Sequence, residues 1–221
     1  MEQQRSCDSL PKQPLGVSRQ FLEVQMPDTI RAFVAVELPQ NVKAAIAGIM
    51  RPLTAGENAR TVKWVDPAQM HITVKFLGET DTSRLPAIQQ TLAAVAARHA
   101  PFALKLAGLG TFPGGTRVRV VWIGLVEGAT PLVALTNDVE PALNAVGFKP
   151  ERHDPSPHVT LGRVRDWASA AERQAVADAL GAATVPEFPR VMIDHLSVMQ
   201  SHLSPQGATY RALARAALLR E

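Results

Sequence analysis

MHITVKFLG (residues 70–78) and PHVTLGRV (residues 157–164) carry one pattern twice: a histidine, a spacer and a threonine at the head of an apolar run. Side chains on a strand alternate between its two faces. His71 and Thr73 therefore share a face, as do His158 and Thr160. Ile72, Val74, Val159 and Leu161 point the other way and can anchor each strand in a core. Each motif thus displays an imidazole beside a hydroxyl on a rigid apolar support.

Working outward, IRAFVAVEL (30–38) is dense in β-branched and apolar residues and stops at Pro39, which predicts a buried strand. Val42, Ala45, Ile46, Ile49 and Met50 then fall on one helical face. TVKWV (61–65) precedes the first motif as a strand, and the Ala- and Leu-rich residues 84–99 follow it as a helix. FALKLAGLGTF (102–112) and RVRVVWIGLV (117–126) read as strands joined by PGG. Residues 130–146 read as a helix with Leu132, Leu135, Val139 and Leu143 on one side. GFKPERHDPSP (147–157) leads into the second motif. Residues 166–180 form a further helix, with Asp166 or Ser169 as its cap. VMIDHLSVMQS (191–201) reads as one strand. The tail ATYRALARAALL (208–219) fits a helix by its alanines or a strand by its alternation.

The element order suggests a weak internal duplication, with one His-x-Thr in each half. The expected fold is α+β and bilobal, a pseudo-twofold duplication with two antiparallel sheets lining a central cleft and helices outside. Residues 1–28 are polar and lack an apolar period, so they read as a flexible N-terminal extension. Residues 29–221 read as a single bilobal domain, and Met26 is a plausible internal start.

Composition narrows the class. Hydrophobic residues make up 46% of the chain and charged residues 19%, the balance of a soluble globular protein. A net charge of +3 is compatible with an anionic ligand but too weak to argue for non-specific duplex binding. Cys7 is the single cysteine, so an intrachain disulfide and a thiolate metal cluster are excluded and a cytoplasmic protein is expected. No apolar run approaches the roughly 18 residues of a membrane span, so no membrane association is expected.

Two imidazoles facing each other across a cleft suit displacement at phosphorus. One, neutral, takes a proton from the attacking oxygen; the other, protonated, gives one to the leaving oxygen. Histidine holds either state near neutrality because its reference pKa is about 6.5. Each positioned group contributes roughly 10²–10⁴-fold. Threonine hydroxyls can donate to the charged non-bridging oxygens without competing as bases. A metal site is the main chemical rival. The strand histidines supply two ligands where zinc takes three or four, and nothing in the spacing requires Asp154 to join them. Nucleophilic-serine, phosphate-loop and dinucleotide motifs are absent. His99 at a helix end, His195 among apolar neighbours and His202 near a turn read as structural, while His153 could sit at a cleft rim.

With RAFVAVELP (31–39), VKWVDPAQMHITVKFLGE (62–79), RVVWIGL (119–125), PHVTLGRV and LSVMQSHLSPQGATYRAL (196–213) set side by side, the chain resembles the two-histidine phosphoesterase superfamily. Within it, the likeness is to the RNA 2′,3′-cyclic phosphodiesterases once described as 2′-5′ RNA ligases. The likeness runs from about residue 31 to 219, with Val74 where leucine is frequent. It implies a positively charged groove and hydrolysis of a terminal RNA 2′,3′-cyclic phosphate to a 2′-phosphate, with no metal and no cofactor. Carried over, His71 is the proton donor to the departing 3′-oxygen and His158 the base that activates water. Thr73 and Thr160 bind the phosphate. Arg163 matches a frequent arginine that could neutralise phosphate charge, although its odd offset from His158 points it off the histidine face of an ideal strand. The implied partner is an RNA 3′ end bearing a 2′,3′-cyclic phosphate, or a related nucleotide, bound by a monomer. Two other readings fit the same motifs: a phosphodiesterase for a small cyclic nucleotide, and a non-catalytic module that holds RNA ends. Phe76, Phe112 and Trp122 could stack a terminal base, but these residues and Trp64 fit a packing role as well and are not assigned to the site.

Overall fold

The structure is a computed structural model, and it describes residues 27–55, 58–152, 154–205 and 207–219. Of the expected extension, residues 1–26 lie outside the described residues. At its end the Asp28 carbonyl accepts hydrogen bonds from the Thr82 amide and hydroxyl, so the chain is tied down before the first strand. The strands are β1 (Thr29–Glu37), β2 (Val62–Trp64), β3 (His71–Asp81), β4 (Phe102–Phe112), β5 (Val120–Glu127), β6 (Val159–Val164), β7 (Val191–Ile193), β8 (His195–Ser204) and β9 (Gly207–Ala217). The helices are α1 (Gln40–Leu53), the short α2 (Asn58–Thr61), α3 (Leu85–Ala96), α4 (Ala129–Ala145) and α5 (Ala170–Ala182).

The α+β class and the antiparallel pairing expected from the sequence are both present. In place of the two sheets expected there is one, because β3 pairs directly with β6: the strands follow one path, β7-β4-β5-β6-β3-β1-β8-β9, with β2 paired to β6. The two motif strands, β3 and β6, are neighbours at its centre. They meet at a single paired position, Ile72 opposite Val159. On one side of this seam lie β1, β8 and β9; on the other lie β5, β4 and β7.

The two sides are not the two halves of the sequence. β4 comes from the first half but pairs with β5, and β8 returns from the C-terminal region to pair with β1, with β9 pairing to β8 outside it. This exchange breaks the single strand expected at 191–201. Val191–Ile193 pairs with β4 on one side, and after Asp194 the chain starts β8 on the other. The ambiguous tail is β9. Its ladder with β8 extends from His195↔Ala217 to Ser204↔Gly207, and that long pairing outweighs the helical preference of its alanines.

One face of the sheet packs against the helices and holds the main core, including Val34, Val36, Ile72, Ile123, Val159, Leu161 and Leu196. α1 buries Val42, Ile46, Ile49, Met50 and Leu53, and α4 buries Leu132, Leu135, Thr136, Val139 and Leu143. α5 begins at a capping box. The Ser169 hydroxyl accepts from the Glu172 amide, and the Glu172 carboxylate accepts from the Ser169 amide. A smaller cluster, Phe33, Ala35 and Met199 with Tyr210 and Ala212 against it, lies on the opposite face.

Candidate active site

Both histidines are held in the same way. His71 Nδ1 lies 2.9 Å from the Gln69 carbonyl, and His158 Nδ1 lies 2.6 Å from the Ser156 carbonyl. A carbonyl can only accept, so in each ring Nδ1 carries the proton and Nε2 is left for chemistry. In both cases the partner is the residue two positions earlier, on the lead into the strand. The antiparallel bridge Ile72↔Val159 runs the two motifs past each other. The order His71, Ile72, Thr73 on β3 thus faces Thr160 and Val159 on β6 and His158 immediately before it.

The lead into His71 is braced from several directions. Residues 67–69 form a 3₁₀ turn capped by Asp66, whose Oδ1 accepts from Ala68 N at 2.9 Å. From α1, Lys43 Nζ donates to the Ala68 carbonyl at 2.7 Å. From β9, the Tyr210 amide donates to Gln69 Oε1 at 2.7 Å. Gln69 therefore uses its main chain to orient the imidazole and its side chain to lock onto a distant strand.

Aromatic rings back each imidazole. Phe33 stacks at a tilt on His71 with centroids 4.7 Å apart, and Tyr210 meets His71 edge-on at 4.8 Å. On the other strand Phe112 meets His158 edge-on at 5.1 Å and Trp122 lies at 6.3 Å. Trp122 sits directly over its cross-strand partner Gly110, where an added Cβ would come within 2.2 Å of the indole. Burial lowers the pKa of both histidines. The carbonyl bond to Nδ1 works against this, and a nearby cation, Lys43 for His71 and Arg163 for His158, adds to the lowering.

Irregular pairing re-aims several side chains that strict alternation misplaces. In the β5–β6 ladder Trp122 pairs with Thr160 and Val121 with Gly162, so Leu161 is passed over. The parity flips there. Arg163 consequently lies opposite Val120 on the face that carries Thr160, and its charge acts on both His158 and Tyr210. The odd offset read from the sequence is thereby corrected: a bulge, not a reach around the strand end, returns Arg163 to the histidine face. The β1–β3 ladder passes over Val74 and Leu77 in the same manner. Phe76 is turned onto the histidine face opposite Phe33 and is 56% exposed, whereas Lys75 is turned into the core opposite Val34.

The structure brings His71, Thr73, His158, Thr160 and Arg163 to one side of the β3–β6 seam. His153 lies outside the described residues. The apolar setting expected for His195 is not what the structure has. Its Nδ1 is 2.6 Å from Asp194 Oδ1 and its Nε2 3.5 Å from Glu37 Oε1, in a polar group with Ser197 and Arg215. His99 closes α3 against Asp138. Tyr210, Gln69 and Phe33 were not selected from the sequence. The signal available for Tyr210 was that it is the chain's single tyrosine. Among the described residues no three His, Cys, Asp or Glu side chains converge as a metal-ligand set. Hollows between α3 and α4 and between α1 and α5 lie on the helix side and include none of these residues.

Comparison with known proteins agrees with this arrangement. The chain is 35% identical over 152 residues to the RNA 2′,3′-cyclic phosphodiesterase of Aeropyrum pernix, covering 69% of this chain and 84% of that protein. It is 32% identical over 149 residues to the RNA 2′,3′-cyclic phosphodiesterase of Methanothermobacter thermautotrophicus, covering 67% and 78%. The crystal structure of the Thermus thermophilus protein TT0787 superposes with a TM-score of 0.68 at 26% identity, covering 87% of this chain and all of that one. With the sequence model of the family matching residues 38–205 and so spanning both motifs, the chain belongs to the 2′-5′ RNA ligase superfamily.

Proposed function

We propose that this protein hydrolyses the 2′,3′-cyclic phosphate at RNA 3′ ends to a 2′-phosphate, with His71 and His158 as the acid–base pair and no metal. The observation that carries the reading is the paired geometry. Two imidazoles at the heads of adjacent antiparallel strands each donate Nδ1–H to a backbone carbonyl and so keep Nε2 for the substrate. His71 and His158 occupy diagonal positions about the Ile72↔Val159 bridge. Diagonal neighbours on ideal antiparallel strands lie about 7–8 Å apart, a span that admits one phosphate between two hydrogen-bonding nitrogens. The names of the curated relatives support the substrate class.

In this reading the cyclic phosphate sits over the seam with its non-bridging oxygens accepting from the Thr73 and Thr160 hydroxyls and facing the Arg163 charge. Neutral His158 Nε2 takes a proton from water as its oxygen bonds to phosphorus. Protonated His71 Nε2–H gives its proton to the 3′-oxygen as the P–O3′ bond breaks. The product keeps its phosphate on the 2′-oxygen. The two histidines end the turnover with exchanged protonation states, which solvent resets. The reading takes the working unit as a monomer in the cytoplasm. It also takes residues 29–221 as one domain, because β4 and β8 cross between the two sides of the sheet.

The test is turnover of an oligoribonucleotide ending in a 2′,3′-cyclic phosphate, with the product phosphate located by mass and by nuclease mapping. Formation of a 2′-phosphate that survives chelator and is lost in His71→Ala and His158→Ala is expected. Turnover of a cyclic mononucleotide in preference to the oligomer would favour the small-nucleotide reading. Binding of RNA ends with no turnover would favour the binding-module reading.

A further inference from the structure

Lys75 is among the largest fully buried side chains in the protein, and its ammonium is not exposed at all. A buried cation is costly unless it is paired and hydrogen-bonded. Here Nζ donates to Glu140 Oε2 on α4 at 2.6 Å and to the Lys149 carbonyl at 2.9 Å. The other carboxylate oxygen, Glu140 Oε1, accepts from the Glu151 amide at 2.7 Å. One ion pair therefore grips two main-chain groups of the segment that leaves α4, one acceptor and one donor. Burial alone would raise the Glu140 pKa, but the Lys75 ammonium and the Glu151 amide outweigh it and hold the carboxyl below its ordinary value.

The position of this pair joins the two motifs. Lys75 is two residues beyond Thr73 on β3. The gripped segment runs on to Ser156, whose carbonyl orients His158. Pro150, Pro155 and Pro157 fix φ at three positions of that link, which reduces the ways in which a displacement at its start can be absorbed. Lysine also reaches the core only because the β1–β3 ladder passes over Val74.

We propose that the Lys75–Glu140 ion pair is a positioning device for His158, fixing the Pro-containing lead into the second motif to the strand that carries the first, and so setting the separation of the two imidazoles. The proposal rests on the catalytic reading above. It assigns Lys75 and Glu140 no contact with substrate.

The decisive variant is the double replacement Lys75→Met/Glu140→Leu. An apolar pair can replace a buried ion pair with little loss of stability. The Glu151 amide is at the surface, so water can take it over when Glu140 is replaced. The expected result is a folded protein whose kcat on the cyclic-phosphate oligomer falls at least about tenfold while KM stays within about twofold, as expected for a misplaced group. In imidazole NMR the His158 Nδ1–H signal should move while that of His71 does not. Glu151→Pro, a surface change that deletes one gripped amide and leaves the ion pair in place, should shift both readouts in the same direction by less, and it decides the matter if the double variant fails to fold. Wild-type kcat in a folded variant, or a fallen kcat with an unmoved His158 signal, would overturn the proposal. If the wild-type protein turned over no cyclic phosphate, the catalytic reading would fail separately, and the NMR arm would still report whether the ion pair positions His158.

Discussion

Ile72 and Val159 are the one paired position that joins β3 to β6, and both side chains are buried in the main core. Each is the spacer of a His-x-Thr motif. The residue that separates histidine from threonine in the sequence is thus the one that brings the two motifs together in space. The histidines then act on a common phosphate as a unit. His71→Ala and His158→Ala should each lower kcat by about 10²–10⁴-fold. The double variant should be little worse than the poorer single one, because groups that act as a unit are not additive. Steady-state rates for the three variants check this, alongside unchanged melting temperatures. Losses that simply multiply would mean that the two rings serve different steps.

The pH dependence has a definite sign. Burial lowers both imidazoles from the ordinary value of 6.5, and Lys43 and Arg163 add to the lowering. One ring must be neutral and the other charged, so kcat/KM should trace a bell. Its centre should lie on the acid side of 6.5. A maximum well above pH 7 in the free-enzyme profile would contradict the burial argument.

Arg163 separates the two limbs of that bell. Its charge lowers His158, so Arg163→Gln should raise the His158 pKa and move one limb of the bell to higher pH. The other limb, set by His71, should stay in place. Lost phosphate neutralisation should also raise KM and weaken its dependence on salt. A bell with both limbs unmoved would contradict the action of Arg163 on His158.

Glu37, the cross-strand partner of His71 in the β1–β3 ladder, supplies an acid-stability prediction. Arg215 hydrogen-bonds its carboxylate, and together with Ser197 and His195 outweighs burial, holding its pKa down at about 2 from the ordinary 4.5. A depressed carboxylate contributes stability that is fully present above 4.5 and is lost as pH falls towards about 2. Glu37→Gln should melt lower than wild type at pH 7, and the gap should close as the pH is taken from about 4.5 down towards 2. Thermal melts across that window check it. A gap that stays constant would assign the effect to packing.

Much of this was legible in the primary chain because it rests on local periodicity. Alternation put His71 with Thr73 and His158 with Thr160, and put Ile72 and Val159 into the core. The 3.6-residue spacing of Leu132, Leu135, Val139 and Leu143 marked the buried stripe of α4, and Asp166 or Ser169 offered a cap for α5, of which the structure uses Ser169. These depend on neighbours within a turn or two, which any window of sequence contains.

What alternation could not foresee are the places where a ladder skips a residue. Passing over Leu161 returns Arg163 to the histidine face, and passing over Val74 sends Lys75 inward and Phe76 outward. A skip is decided by the partner strand, so nothing within the motif announces it. The same holds for Tyr210, which reaches His71 from a strand far along the chain, and for β4 and β8, which change sides of the sheet. The sequence by itself determined the chemistry, two imidazoles and two hydroxyls on strand faces. Tertiary structure alone decided that the strands are neighbours, which nitrogens are left free, and which cation looks on, because each of those depends on contacts between residues that are remote in the chain.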